Sequence, residues 1–395
     1  MKTSILFVMN KLTVGGAEKA LISLLETIDY SKYDVDLFLF KHEGLFMNKL
    51  PPQVHLLPEP PLYAYFDMSI KKAIMGALKK GKPLLAIFRV LVGYLFRTDK
   101  RPAVREQRSW KYVSHALPKL TKNYHVAIGY LEKNPIYYII DKVNAARKLG
   151  YVHNDYNKLG MDPELDKKYF AKLNFIVTVS EECGSVLKER FPQYADKVRV
   201  IQNIVSAEVI RRMAAEKAEW NENGDTAFRI VSVGRLNEQK GFDLAVEACK
   251  LLRDAGCDLK WYVIGEGEER GKLEALIKQK GLENNFILLG LRENPYPYVK
   301  EADIYVQPSR FEGKSIAIDE AKILHKPIVV TDFSTVRDQI ASERNGLIVK
   351  MNAQAISEGV RRLLEDAGLR AAFASRLAEE TLGTESEIKK LYQLF

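Results

Sequence analysis

The sequence predicts an α/β protein made of two doubly wound domains. Short apolar strands alternate with helical segments, glycines follow several of the strands, and the same rhythm restarts after a polar segment near the middle of the chain. Alternation of this kind is typical of parallel sheets that helices cover on both faces. A chain of 395 residues also exceeds what one hydrophobic core usually supports, so two domains are expected.

The first domain begins with a βαβ unit. An apolar strand is predicted at residues 5–9, a polar loop with Gly15 and Gly16 follows, and the next segment has alanines and leucines at helical spacing. A second strand is predicted at residues 35–40. Further strands are expected at residues 126–130, 148–153 and 175–180, with a short one within residues 197–204.

The second domain repeats this pattern after a short strand ends near residue 204 and a polar, glutamate-rich stretch follows at residues 206–225, closing on 221–225. We expect one domain at residues 1–203 and another at 204–383. Ligands of such sheets bind at the carboxyl ends of the strands, so the domains should face each other across a cleft. The predicted strands are 228–233, 259–264, 286–289, 303–306, 327–331 and 347–349, and the predicted helices are 242–255, 268–280 and 315–324.

The composition excludes several classes of protein. A hydrophobic fraction of 47% excludes disorder. No apolar run approaches the roughly 18 residues of a spanning helix, and the apolar segment near the start is too short for a signal peptide, so we expect a cytoplasmic protein. Cys183, Cys249 and Cys257 are odd in number and lack partners at ligand spacing, which argues against a disulfide framework or a zinc site.

Two cations and two carboxylates in the second domain suggest a nucleotide-sugar site. Arg235 follows an apolar strand and Lys240 comes five residues later, so both could neutralise a diphosphate. Glu312 lies in a loop and Glu320 inside the following helix, where they could accept hydrogen bonds from a sugar and from a ribose. The alternative is that these are solvated surface charges. A helix as apolar as residues 315–324 should bury Glu320, which then needs a partner.

Two features of the first domain are weaker candidates. Gly15 and Gly16 could bring the backbone and a helix N-terminus close to an anion, or could simply form a tight turn. His153 ends a buried strand, the position from which side chains enter an α/β cleft, although a lone histidine can also be structural. In the second domain, the glycine pair at 265–267 precedes Arg270 where a dinucleotide fingerprint needs glycine, so NAD is not indicated.

Taken in this order, these residues resemble glycosyltransferase family 4, a retaining family with the GT-B fold of two Rossmann-like domains. The resemblance covers nearly the whole chain and is strongest over residues 231–349, where the family's E-x7-E motif matches Glu312 and Glu320. It implies that Arg235 and Lys240 hold the donor diphosphate, Glu312 the transferred sugar and Glu320 the ribose. His153 would face the donor sugar, which makes it, with Glu312, Arg235 and Lys240, a catalytic candidate.

The resemblance implies further contacts. Gly15 and Gly16 would approach the donor from the first domain, and the backbone of Gly290 and Leu291 would edge the base pocket. Asn203 would lie near the hinge, and the apolar residues 384–395 would pack back on the first domain.

One departure from the family concerns the loop after Glu312. The family commonly has an aromatic and then a small residue after E-G, whereas this chain has Gly313, Lys314 and Ser315. These three would still contact the donor sugar, with Lys314 adding a charge beside it. Donor identity, UDP- or GDP-linked, therefore stays open.

The implied activity is a retaining hexosyl transfer from a nucleotide diphosphate sugar to a glycan or lipid-linked acceptor, in cell-envelope or exopolysaccharide synthesis, without a metal or other cofactor. Residues 71–110 carry eleven cations and two acids, interleaved with apolar residues. That stretch could rest on an anionic membrane, on the inner face of the cell membrane, or form a solvated helix. No nucleic-acid recognition module is visible.

Two other functions stay open. A nucleotide-sugar epimerase of the same fold would convert the donor without an acceptor, and a non-catalytic partner subunit would bind nucleotide without turnover. The complete set of Arg235, Lys240, Glu312 and Glu320 argues against the second.

Overall fold

A computed structural model describes residues 2–13, 15–220 and 227–395. Residues 221–225, the predicted end of the polar stretch between the domains, lie outside them. The described chain forms two compact units. One contains most of residues 2–202 together with Ser386–Phe395, and the other contains Gly15, Gly16 and Asn203–Glu385.

The first unit is built on a parallel sheet. Its described strands are β1 (Thr3–Met9), β2 (Tyr33–Leu39), β3 (His55–Leu56), β4 (Asn123–Gly129), β5 (Asn144–Val152), β6 (Phe175–Thr178) and β7 (Val198–Val200). Their order in the sheet is β3-β2-β1-β4-β5-β6-β7, with Thr3 opposite Tyr33 in the β1–β2 pair. The central strand β1 is apolar and buried from Ile5 to Met9, as expected for a strand with helices on both faces.

Helices cover this sheet and extend beyond it. They are α1 (Gly16–Thr27), α2 (Ala64–Asp67), α3 (Ile70–Lys79), α4 (Pro83–Thr98), α5 (Pro102–Val113), α6 (Asn134–Lys142), α7 (Pro163–Phe170) and α8 (Glu181–Arg190). Helices α3 and α4 pack on each other as a hairpin that we define as residues 70–98. No helix in the described residues is both long and apolar enough to cross a bilayer.

The second unit has its own parallel sheet, ordered β10-β9-β8-β11-β12-β13. Its described strands are β8 (Phe228–Val233), β9 (Leu259–Ile264), β10 (Phe286–Gly290), β11 (Ile304–Gln307), β12 (Ile328–Thr331) and β13 (Leu347–Val349). Its helices are α9 (Ala207–Met213), α10 (Phe242–Asp254), α11 (Arg270–Gln279), α12 (Tyr296–Glu301), α13 (Ile316–Ile323), α14 (Ala353–Glu365) and α15 (Ala367–Glu379).

Both sheets reverse their strand order at one point. The reversal falls between β1 and β4 in the first unit and between β8 and β11 in the second. At such a switch point the loops leaving the two strands run in opposite directions and leave a crevice, where α/β proteins bind ligands. In the second unit, these are the loops that carry the predicted cations and Glu312.

The C-terminal helix α16 (Ile388–Tyr392) belongs to the first unit. The ring of Tyr392 stacks on that of Tyr33 with 4.6 Å between centroids, and the backbone N–H of Asp29 donates to the Tyr392 hydroxyl at 2.9 Å. Helix α16 therefore packs beside β2 in the first unit.

The strands predicted at residues 228–233, 259–264 and 347–349 are confirmed to the residue. Most others are confirmed with ends shifted by a few residues, whereas the two-residue strand β3 was not predicted. Because β3 pairs with β2 only at His55 and Leu56, it leaves no periodic pattern in the sequence.

Candidate active site

The loop after β8 presents the two predicted cations of the second unit. Arg235 is exposed two residues beyond the strand, and Lys240 is half-buried at the end of a single 3-10 turn. The side chain of Asn237 caps this turn by accepting from the backbone N–H of Lys240 at 3.2 Å. The cap and the turn together define the backbone conformation of this loop.

A close backbone approach brings this loop against the loop after β11. Gly241 has a φ of +65°, and a Cβ there would lie 2.1 Å from the carbonyl oxygen of Pro308. The backbone N–H of Arg310 donates to the carbonyl of Gln239 at 2.7 Å. Only glycine fits this position without displacing a neighbour, because it lacks a Cβ and tolerates positive φ.

Lys240 and Glu312 form an ion pair at the meeting point of the two loops. Lys240 Nζ lies 2.6 Å from Glu312 Oε1, and the exposed fractions of the two side chains are 18% and 7%. An ammonium has three donors, so Lys240 keeps donors for a further anion. The pair is thus largely desolvated yet able to bind a ligand.

A buried chain of hydrogen bonds orients Glu312. Tyr305 donates to Gln307 at 2.6 Å, Gln307 donates to the Ser309 hydroxyl at 2.8 Å, and Ser309 donates to Glu312 Oε1 at 2.7 Å. Thr335 donates to the backbone carbonyl of Glu312 at 3.0 Å. Such support holds the carboxylate in one position, which a group that must contact a reacting sugar needs.

The second glutamate is buried on the next helix. Glu320 lies in α13 with 4% of its surface exposed, and the hydroxyl of Tyr296 donates to its Oε1 at 3.0 Å. The sequence expectation that a buried Glu320 has a hydrogen-bonding partner is therefore confirmed. The partner comes from α12.

The positive charge of Lys314, which the family pattern lacks at this position, has a counter-ion nearby. Its buried ammonium pairs with Asp319, one turn into α13. Gln339 donates to Asp319 at 2.8 Å and exchanges two hydrogen bonds with the backbone of Ser315, at 2.8 and 2.9 Å. The charge that Lys314 adds beside Gly313 is thus neutralised within the unit.

The residues expected at the base pocket end the neighbouring strand. Gly290 is the last residue of β10, with a φ of +75°, and its carbonyl accepts from the N–H of Gly265 at 3.0 Å. Leu291 is exposed directly after it. Close to Gly290, Arg270 binds Glu266, with 2.7 Å between Nη2 and Oε1. The acids of the 265–270 loop are thus partly neutralised by Arg270.

Of the remaining predicted residues, His153 belongs to the first unit, whereas Gly15 and Gly16 are grouped with the second unit. Gly15 and Gly16 stand at the start of α1, where buried Glu18 accepts from the Thr13 hydroxyl at 3.1 Å. His153 follows β5 and is buried; its Nε2 is 3.1 Å from the carbonyl oxygen of Tyr130. Because a carbonyl only accepts, Nε2 carries the proton in this arrangement.

Several residues that shape the site were not predicted. Gln239, Ser309, Tyr296 and Gln339 contact the predicted residues, yet none belongs to a recognisable spacing pattern. For Gln239 and Ser309, the sequence offered one indication of a role in the site: each lies in the same loop as a predicted residue and within three positions of it. Within the described residues, no cluster of three or more His, Cys, Asp or Glu is arranged as metal ligands, and metal independence stays a prediction.

Two Rossmann-like domains of parallel strands are the architecture of the GT-B class of glycosyltransferases, and the predicted fold class is confirmed. A Staphylococcus aureus TarM variant, solved with fondaparinux, alpha-GlcNAc-glycerol and UDP, matches with a TM-score of 0.69 at 17% identity, over 99% of both chains. Anabaena HepE, solved with UDP-glucose, matches with a TM-score of 0.68 at 16% identity, over 99% of this chain and 98% of its own. These likenesses show the fold alone.

Residues 214–379 match the family model described as Glycosyl transferases group 1. The resemblance to glycosyltransferases is therefore confirmed, and it is carried by the unit that holds Lys240, Glu312 and Glu320.

Curated relatives agree with this match. An N-acetylgalactosaminyltransferase of Campylobacter jejuni, named for its action on a diphospho-undecaprenol-linked sugar, is 30% identical over 228 residues, 57% of this chain and 60% of its own. A poly(ribitol-phosphate) alpha-N-acetylglucosaminyltransferase of Staphylococcus aureus is 29% identical over 168 residues, 41% of this chain and 34% of its own. The chain thus matches less than two thirds of the length of these relatives.

Proposed function

We propose that this chain is a retaining glycosyltransferase of family 4 that transfers a hexosyl group from a nucleotide diphosphate sugar. The observation that carries the proposal is the pairing of Lys240 with Glu312 at the switch point of the second sheet, 2.6 Å apart. A cation for the leaving diphosphate and a carboxylate for the sugar stand there side by side, with exposed Arg235 on the same loop.

The donor is proposed to lie along the carboxyl ends of β8, β10 and β11. Arg235 and Lys240 would contact the diphosphate, Glu320 the ribose, and the backbone of Gly290 and Leu291 the base. UDP is the favoured nucleotide, because TarM and HepE were both solved with UDP or a UDP-sugar.

The sugar would be held by Glu312 and by the backbone of Gly313, Lys314 and Ser315. His153, Gly15 and Gly16 are proposed to contact the same sugar, as the family resemblance implies. These assignments follow the family resemblance, and the buried hydrogen bonds around Glu312 support the first of them.

In the proposed reaction the bond from the anomeric carbon to the diphosphate breaks and a bond to an acceptor hydroxyl forms on the same face. The acceptor's proton passes to the departing phosphate, which leaves as the nucleoside diphosphate. Charge grows on that phosphate, so Arg235 and Lys240 lower the barrier. One such donor is worth roughly 2.7 to 4 kcal/mol in comparable sites.

The acceptor is proposed to be a glycan or a lipid-linked sugar of cell-envelope or exopolysaccharide synthesis, on the cytoplasmic side of the membrane. The names of the Campylobacter and Staphylococcus relatives support this class. A cavity of about 900 Å³ in the first unit offers space for it. Its wall contains apolar groups such as Phe96, the cations Arg101 and Arg105, and Glu106, which pairs with Lys133.

The test combines binding with turnover. Melting temperature is measured with UDP- and GDP-linked hexoses, since a ligand that binds only the folded state raises it. Transfer is then measured with the best donor and a polyprenyl-diphosphate-linked sugar or a polyol-phosphate polymer, with product anomers assigned by NMR. Transfer with retained configuration supports the proposal. Conversion of the donor without any acceptor would identify an epimerase. Donor binding with no turnover on either acceptor would contradict the proposed catalytic activity.

A further inference from the structure

The α3–α4 hairpin concentrates the exposed apolar surface of the protein. Among the described residues, nine of the twelve large hydrophobic side chains that are exposed lie within residues 70–98. They are Ile70, Met75, Leu78, Leu84, Ile87, Val90, Leu91, Tyr94 and Phe96. Single exposed hydrophobic residues are common on protein surfaces, but a contiguous group usually marks a contact with another molecule or a membrane.

The apolar residues of α4 form one stripe. Leu84, Ile87, Leu91 and Tyr94 are spaced by three, four and three residues, which places them on one face of a helix. Leu84 is 56% exposed, Ile87 54% and Tyr94 65%. The opposite side of α4 is accounted for, because Leu85, Ala86 and Val92 are buried in the unit.

The hairpin that carries this stripe is rich in cations and has no acids. Residues 70–98 contain seven Lys or Arg and no Asp or Glu. Arg89 is turned inward and donates to the carbonyl of Met68 at 2.9 Å. The other six are exposed, and within the described ranges none of them forms an ion pair. They are Lys71, Lys72, Lys79, Lys80, Lys82 and Arg97.

We propose that the α3–α4 hairpin docks on an anionic phospholipid bilayer, with the α4 stripe among the acyl chains and the six cations at the phosphate level. At 1.5 Å per residue, the 16 residues of α4 extend about 24 Å, less than the hydrocarbon core, so the helix lies in the interface. Apolar burial and electrostatic attraction add in such a contact. This proposal deepens the proposed function, because a lipid-linked acceptor would be located in the same membrane. Membrane docking does not require the proposed transfer activity, however.

The positive charge of the hairpin favours a bilayer over a second copy of this chain as its binding partner. In a two-fold dimer the same surface faces itself, so the six exposed cations of each hairpin would lie opposite six others with no acid on either hairpin to pair with them. An anionic lipid surface is complementary to all of them, and each cation near it contributes favourably.

The test is flotation of the full chain with vesicles. Wild-type protein should float with phosphatidylcholine vesicles that contain phosphatidylglycerol and should float less with phosphatidylcholine alone. Ile87→Glu/Leu91→Glu should weaken binding to the anionic vesicles by at least about tenfold, because it brings two charges among the acyl chains. Lys71→Glu/Lys79→Glu should do the same and should remove most of the salt dependence.

Two matched controls come from outside the hairpin. Leu251→Glu/Met351→Glu changes exposed apolar residues, and Lys188→Glu/Lys278→Glu changes exposed lysines. Both should bind as wild type does. All altered positions are exposed, so the melting temperatures should be unchanged, and these are measured on each variant.

Three results would overturn the proposal. The first is wild-type protein that stays unbound with anionic vesicles at low salt. The second is equal loss in the hairpin variants and the controls. The third is a dimer in light scattering that Ile87→Glu/Leu91→Glu converts to a monomer, which would assign the stripe to self-association. Since no readout involves sugar transfer, failure of this proposal is distinguishable from failure of the proposed activity.

Discussion

Lys240 and Glu312 are 72 residues apart in the chain, yet their charged atoms lie 2.6 Å from each other. The pair is mostly buried and sits where the loops after β8 and β11 meet. Each charge therefore holds the other in place before any substrate arrives. Removing one partner should affect both the stability of the unit and its chemistry.

We expect Lys240→Met to lower kcat by about 100-fold or more, because one of the two donors proposed for the leaving diphosphate is lost. The change also leaves Glu312 as a buried, unpaired charge, which should lower the melting temperature. Steady-state kinetics and thermal unfolding measure the two effects.

The double variant Lys240→Met/Glu312→Gln separates these effects. It should recover most of the melting temperature, since no unpaired charge remains, but not the turnover. Lys250→Met is the matched control, because Lys250 pairs with Asp254 on the exposed face of α10. A Lys240→Met enzyme with wild-type kcat would refute the proposed role.

Glu320→Gln should raise the KM for the donor by about tenfold and change kcat little, because a ribose contact is made in the ground state and the transition state alike. Tyr296→Phe removes the hydroxyl that donates to Glu320 at 3.0 Å and should cause a smaller rise. Donor titrations at saturating acceptor give both constants. A fall in kcat with unchanged KM would contradict the ribose assignment.

Gly241→Ala should lower the free energy of unfolding by at least about 2 kcal/mol, since a non-glycine residue in the left-handed region costs about 1–2 kcal/mol and the new Cβ also collides with Pro308. Urea unfolding measures the change. Gly271→Ala is the control: its Cβ would meet nothing within 4 Å, and alanine is favoured over glycine in a helix by up to about 1 kcal/mol. Equal effects of the two substitutions would argue against a strained contact at Gly241.

Asp166 should make the first unit less stable as pH rises above 4. Burial raises the pKa of this carboxyl from 3.8 to about 6, although Tyr137, Tyr156 and Gln107 donate hydrogen bonds to it. A folded-state pKa above the unfolded one gives stability that is complete below the unfolded pKa and is lost as pH rises through the folded pKa. The loss should total about 3 kcal/mol by neutral pH.

This prediction is checked as a difference between wild type and Asp166→Asn in urea unfolding from pH 4 to 7.5. The free energy of wild type relative to the variant should fall across that range. For Asp36, burial raises the pKa, but hydrogen bonds from Tyr124 and Lys122 outweigh it and hold the pKa below 3.8. The corresponding difference for Asp36→Asn should be flat above about pH 5. A flat difference for Asp166 would refute the prediction.

Much of the fold could be predicted from sequence because a buried parallel strand is a short apolar run with a glycine or polar loop after it. Strand β8 and its loop are an example, since residues 228–233 are predicted to the residue and Arg235 lies two residues beyond the strand. Strand β3 was not predicted, because a strand of two residues is too short to show an alternation of apolar and polar residues. The extent of α4 and its exposed stripe could not be predicted either, because an apolar residue in a helix does not reveal whether anything covers it.

Local periodicity and composition are enough to predict the succession of strands and helices, the residue types available for chemistry and the charge of the 71–110 stretch. Four features are visible in the folded chain alone: Lys240 pairs with Glu312, Tyr296 donates to Glu320, Asp319 neutralises Lys314, and an apolar stripe on α4 stays exposed. The stripe consists of Leu84, Ile87, Leu91 and Tyr94. Apart from the local Lys314–Asp319 pair, these features are contacts, or missing contacts, between segments far apart in the chain. They depend on how the sheets order their strands and pack their helices, which local periodicity does not encode.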